Sequence, residues 1–104
     1  MCLILIACQT CPRYPVILAA NRDEFYRRPT RGMHRWKGDL PIIAGKDLEQ
    51  GGTWLGVHPD GRLAALTNYR DPSKNTVGAR SRGGIIPGFL ASGADPAQYG
   101  ETLY

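Results

Sequence analysis

The 104-residue chain holds no apolar run near the roughly 20 residues that a membrane-crossing helix needs. Leu3 to Ala7 is apolar, yet it is too short and lacks the positive flank of a signal peptide. Three cysteines, Cys2, Cys8 and Cys11, are an odd number crowded at one end, which is not a disulfide framework. The expected compartment is therefore cytoplasmic, where thiols stay reduced. Cys8-Gln-Thr-Cys11 is a single C-x-x-C with neither a second pair nor nearby histidines, so no metal site is read from it. The two histidines, His34 and His58, stand in no triad spacing. Internal repeats and low-complexity segments are absent as well.

What is present is ordinary for one small domain. Apolar residues make up 42% and charged residues 21%, which excludes a disordered charged tail. The net charge of +4 suits a small-molecule or anionic ligand and specifies no nucleic acid.

Cys2 to Cys8 is rich in aliphatic residues and reads as a buried strand. Gln9 to Pro15 reads as a turn and Val16 to Ala20 as a second, antiparallel strand. Asn21 to Asp39 is polar and without period, a long loop of the kind that usually carries function. Further strands are expected at Pro41–Gly45 and at Thr53–Val57, with Arg62–Thr67 returning after the Pro59-Asp60-Gly61 turn. Asp71 to Arg82 is polar. Ile85 to Leu90 suggests a short helix, and Asp95-Pro96 a helix N-cap with proline at the first position. The pattern gives an α+β fold with an antiparallel core. Its end inside a helix suggests a piece of a longer protein whose sheet edges would lack partners.

Two features carry chemistry. Cysteine is small enough for Met1 to be removed, leaving a thiol and a free α-amine on Cys2. An α-amine ordinarily titrates near neutrality, at about 7.7–8.0. It can act as general base for its own side chain, so no histidine is needed. The bland alternative is a small apolar residue opening a strand. The second feature is Asn21-Arg22-Asp23-Glu24, directly after the second strand. A hairpin would bring it beside Cys2, where Asp23 can hold the α-amine and Asn21 can donate to an oxyanion. Arg22 either pairs with Glu24 or binds a carboxylate or phosphate. The alternative is a solvated turn with a surface ion pair.

Met1-Cys2, Ala19 to Thr30, Ala44-Gly45 with Asp47, Gly51 to Val57, Gly61-Arg62, Ala65 to Arg70 and Arg80 to Gly83 together resemble the NRDE family, the transport and Golgi organization protein 2 homologues, block by block and in order. The resemblance implies that residues 1–104 are the N-terminal part of a single family domain. It also implies links to secretion, Golgi organization, heme trafficking and acyl-CoA or lipid metabolism. More distantly, the chain is similar to choloylglycine hydrolase-like amidases. These also open Met-Cys, carry an Asn-x-Asp turn, and place a glycine-bounded hairpin ahead of a strand ending in Asn. Here Asn21 to Asp23 fits the turn, and Gly56 to Gly61 leading to Asn68 fits the hairpin. His58 replaces the hairpin asparagine, and Ala20 or a neighbour replaces an arginine. That likeness implies the four-layer αββα sandwich of N-terminal-nucleophile hydrolases, with Cys2, Asn21, Asp23 and Asn68 as catalytic candidates.

Other segments stay open. Gly51-Gly52-Thr53-Trp54 reads as a tight strand entry rather than a ligand-approach site, with Trp54 as core. Arg27, Arg28, Arg31, Arg35 and Lys37, interleaved with Tyr26 and Trp36, form a solvated basic loop or a site for phosphates, CoA, heme propionates or single-stranded nucleic acid. Arg22, Arg27 and Arg28 are the ligand-binding candidates. Two functions compete: a Cys2 hydrolase for an amide, thioester or ester that needs no cofactor, and a non-catalytic heme or acyl-CoA binding protein. A third reading is a catalytically dead scaffold in secretion.

Overall fold

The computed structural model describes residues 2–68 and 81–103. Within them the chain is a mixed α/β structure with two antiparallel sheets and few helices. Strands β1 (Leu3–Cys11) and β2 (Tyr14–Asn21) form a two-stranded sheet. Strands β3 (Thr30–Arg35), β4 (Ile43–Asp47), β5 (Leu55–Val57) and β6 (Leu63–Ala65) pair in sequence order in a second sheet. A 3₁₀ turn at Arg82–Gly84 leads into α1 (Ile85–Ser92), and α2 (Pro96–Glu101) follows.

Three expectations need correction. The first turn is not Gln9 to Pro15. β1 continues to Cys11 and β2 starts at Tyr14, leaving Pro12-Arg13 as the turn. The ladder tolerates this because its register slips between Cys8 and Cys11, where Gln9 takes a φ of 56°. That irregularity also accommodates Pro15, which has no N–H to give a ladder. Second, the long loop from Asn21 to Asp39 contains β3. Its alternation is masked because Arg31, Met33 and Arg35 are all exposed, so no apolar face marks it. Third, β1 is not buried. Leu5 and Ile6 are each 60% exposed, and Leu3, Val16 and Ile17 are also open. An aliphatic run favours a strand, but burial depends on what packs against it. Among the described residues, one face of this hairpin lines only an open groove and the other is left uncovered.

The core lies between the second sheet and α1. Ile42, Ala44, Ile86, Phe89 and Leu90 are its buried members, flanked by Trp36, Leu40, Ala64, Leu66 and Tyr99. Ile86 and Leu90 are four residues apart and so share a helix face. They settle over β5 and β6 because Gly56 leaves a shelf: a Cβ there would lie 3.1 Å from Leu90 and 3.4 Å from Ile86 and Ala44. Pro87 does not break α1, since it occupies the first turn, where its missing N–H has no intrahelical acceptor. Gly93, at φ 67°, ends the helix in the left-handed conformation that glycine adopts without strain. Arg62 adds a second stop. Its guanidinium donates to the carbonyls of Leu90 (2.9 Å) and Phe89 (3.4 Å), while its Nε holds Asp60 at 2.8 Å. Asp95 caps α2 by accepting from Gln98 N at 2.9 Å, with Pro96 at the first position as expected.

Gly52 and Gly83 pack backbone on backbone, and Thr53 N donates to Gly83 O at 3.1 Å. A Cβ on Gly52 would collide with the main chain of Gly83, which cannot swing aside as a side chain can. We expect Gly52→Ala in the full-length protein to cost about 2–4 kcal/mol. Gly84→Ala, which meets nothing within 4 Å, should be near neutral. Paired thermal melts would show this, and equal melting temperatures would refute it.

Candidate functional site

Antiparallel pairing puts Leu3 opposite Asn21. The end of β2 therefore lies beside the start of β1, and the polar tetrapeptide falls next to Cys2. Asp23 N–H points at Cys2 Sγ at 3.4 Å, within range for a sulfur acceptor. Asn21 Oδ1 accepts from Leu3 N at 2.9 Å and pins the residue that follows the cysteine. Cys2 is partly buried, whereas Cys8 is exposed. The hairpin thus brings together Cys2, Asn21 and Asp23. Asn68 lies three residues beyond β6 and is exposed. No contact between Asn68 and Cys2 is present among the described residues. Tyr69 to Arg80, which include part of two family-like blocks and most of the polar Asp71 to Arg82 segment, lie outside them.

The arginines divide into two kinds. Arg27 is exposed, its guanidinium 5.5 Å from the Phe25 ring. Arg22 and Arg28 are instead partly buried and engaged by Asp47, a residue marked in the sequence only as part of a family-like block. Arg28 donates twice to Asp47 Oδ2, from Nη2 at 2.6 Å and Nε at 2.9 Å. It also meets Glu49 at 3.0 Å and Glu24 at 3.9 Å. Arg22 donates to Thr30 Oγ1 at 2.8 Å, sits 3.5 Å from Asp47 and 3.8 Å from Glu24, and stacks 4.4 Å from the Trp54 ring. Trp54 is therefore a stacking surface for a cation of its own chain. Its ring fills the space over Gly45, where a Cβ would lie 2.8 Å from it.

Asp47 is only 7% exposed. Its Oδ1 accepts from Glu49 N at 3.0 Å and Gln50 N at 3.5 Å, folding the turn after β4. The chain gave one clue to this role, an aspartate just ahead of Gly51-Gly52, the pattern of a side chain bonded to the backbone two residues on. Burial alone would raise the Asp47 carboxyl. The Arg28 hydrogen bonds, the Glu49 and Gln50 N–H groups and the Arg28 charge outweigh it and hold the carboxyl below the usual range. The same hydrogen bond to Asp47, against burial, moves Arg28 upward.

At the hairpin turn after β5, Asp60 is held below the usual carboxylate range by the Arg62 N–H and guanidinium and by His58. His58 Nδ1 lies 3.0 Å from Asp60 Oδ1, so this histidine serves its own turn. Among the described residues no group of three or more His, Cys, Asp and Glu could hold a metal ion. No described helix is long and apolar enough to cross a membrane. An apolar groove of about 360 Å³ opens between the hairpin, β6 and the helices. Ile4, Ile6 and Leu18 form one wall and Leu63, Phe89 and Tyr99 the other.

These features fall within a family pattern that covers the whole sequence. The family model described as Transport and Golgi organisation 2 matches residues 1–104, and the chain belongs to that family. It is 48% identical over 89 residues to the Transport and Golgi organization protein 2 homolog of Bos taurus, covering 83% of this chain and 32% of that protein. The Homo sapiens homolog is 46% identical over 89 residues, with the same coverage. The Drosophila melanogaster Transport and Golgi organization protein 2 is 36% identical over 101 residues, covering 86% and 35%. The chain thus spans about a third of the length of these curated relatives. No solved structure matches it.

The lowered Asp47 carboxyl has a pH consequence. A carboxyl held below its unfolded value stabilises the fold above that value, about 3.9, and this is lost as pH falls through the folded value. We expect Asp47→Asn to cost on the order of 2–3 kcal/mol at neutral pH, less than breaking a fully buried pair. The gap to wild type should be constant above about pH 5 and shrink below about pH 4. Urea unfolding across that range measures it, and a gap independent of pH would refute the assignment.

Proposed function

We propose that this chain supplies the nucleophile end of an N-terminal-nucleophile hydrolase, in which Cys2 attacks an amide, thioester or ester. Residues 1–104 are then the N-terminal part of one domain, a four-layer αββα sandwich. In the full-length protein, further strands and helices would cover the open faces of the β1–β2 hairpin. One observation carries the reading: the hairpin sets Asp23 N–H on Cys2 Sγ and Asn21 on the adjoining backbone.

In this mechanism Met1 is removed, and the α-amine of Cys2 takes the thiol proton as sulfur bonds to the carbonyl carbon. Asn21 and neighbouring backbone N–H groups receive the oxyanion, with Asn68 a further donor if the loop after β6 brings it near. The tetrahedral adduct collapses, the amine returns its proton to the departing amine, thiol or alcohol, and an acyl thioester remains on Cys2. The same amine then deprotonates water. Hydrolysis releases the acid and restores the thiol. Asp23 orients the amine throughout. The groove beside the hairpin would take an apolar portion of the substrate.

A second reading is a non-catalytic carrier in transport and Golgi organization, and the same groove favours it. The groove wall is aliphatic and aromatic, with no histidine or cysteine to ligate iron, so it suits an acyl chain better than heme. Exposed Arg27 is the better candidate for an anionic headgroup, since Arg28 is engaged by Asp47.

Intact mass of the full-length protein, before and after brief exposure to a limiting thiol-reactive acyl probe, separates the readings. The hydrolase requires loss of Met1 and one adduct on Cys2, absent in Cys2→Ala. Retained Met1, or labelling spread over Cys2, Cys8 and Cys11, would sink it. A carrier would bind acyl-CoA with Cys2→Ala silent and Arg27→Ala weakened.

A further inference from the structure

The two sheets share no ladder, and the segment from Asn21 to Glu24 runs from one to the other with alternate residues engaged on each side. Asn21 and Asp23 hold the β1 end, through Leu3 N and Cys2 Sγ. Arg22 and Glu24 hold the second sheet. Arg22 is gripped by the Thr30 hydroxyl at 2.8 Å, by the Trp54 face at 4.4 Å and by Asp47 at 3.5 Å. Glu24 meets both arginines. Asp47 is fixed in turn by the backbone of its own turn and by the Arg28 fork. A guanidinium held on three sides leaves little freedom for the peptide that carries it. Asp23 N–H, the donor on Cys2, belongs to the very next residue.

We infer that Asp47 and Arg22 are positioning residues for Cys2: neither touches its sulfur, and together they fix the backbone whose Asp23 N–H does. The chemical use of that position rests on the nucleophile reading above. The coupling itself is a property of the backbone and can be measured without any substrate. It also gives Arg22 and Glu24, two of the three charged members of the tetrapeptide, a physical task that solvated side chains would not have.

The test uses the full-length protein and two readouts. Hydrogen exchange of the Asp23 amide reports the coupling, with amides inside the β1–β2 ladder as internal control. Alkylation by iodoacetamide reports Cys2, as its rate relative to exposed Cys8 across a pH series. In Asp47→Asn we expect Asp23 exchange to rise by at least about tenfold while ladder amides hold, the scale of one lost hydrogen-bonded restraint. The Cys2-to-Cys8 ratio should fall and its pH profile flatten, with Asp47→Glu recovering part of both. Arg22→Lys keeps the charge but loses the planar stack and fork, and should show a smaller version. It carries the test if Asp47→Asn does not fold. Unchanged Asp23 exchange and an unchanged Cys2 ratio in a folded variant would overturn the inference. If wild-type Cys2 reacts no faster than Cys8 while Asp23 exchange still follows Asp47, the coupling is supported and the nucleophile reading falls.

Discussion

A carboxylate removed from water must find compensating donors, and around Asp47 the chain has arranged them from three directions. Its own turn supplies backbone N–H groups, the segment after the tetrapeptide supplies the Arg28 fork, and the tetrapeptide supplies Arg22. Remove that carboxylate and two guanidinium groups are left facing each other with only Glu24 and the more exposed Glu49 between them. The connection between the β1–β2 hairpin and the rest of the molecule runs through this cluster, because the hairpin has no strand partner in the second sheet. Ordering of the segment beside Cys2 is thus an electrostatic matter, decided some distance from the sulfur.

The second sheet and its helix are held by different physics. Small residues at Ala44 and Gly56 let α1 settle close, and Gly52 against Gly83 lets the chain leading into α1 cross the entry to β5. Arg62 then satisfies the carbonyls at the helix end. Several family-like blocks that look unrelated along the chain, Gly51 to Val57, Gly61-Arg62 and the Ser81 to Gly83 part of a third, meet here around a single helix. Their spacing reflects close packing more than ligand contact.

The hairpin is the opposite case. Its apolar residues point outward on both faces, and one face lines a groove closed on the far side by α1 and α2. In an antiparallel sheet, one wet face is common, but two apolar faces belong to a strand pair covered on both sides. The proposed four-layer sandwich would provide that cover, and it would turn the groove into either a substrate channel or part of a core.

By itself the sequence determined the local elements and the meeting at Cys2. Aliphatic runs separated by proline or glycine mark the strands of the hairpin, the Asp95-Pro96 pair marks the start of α2, and a hairpin of that length necessarily returns Asn21 to Asp23 to the chain start. These follow from period and chain connectivity, which are local. Tertiary structure decided what each arginine does. Arg22, Arg27 and Arg28 are alike as letters. Two are sequestered by an aspartate some 20 residues on and one is left to solvent, because ion pairing depends on distance in space and not in sequence. β3 was hidden for a related reason: its residues follow no apolar alternation, and it is a strand because β4 offers it an edge to pair with. Burial of β1 was the expectation that the composition could not secure, since it depends on the neighbours that reach the strand.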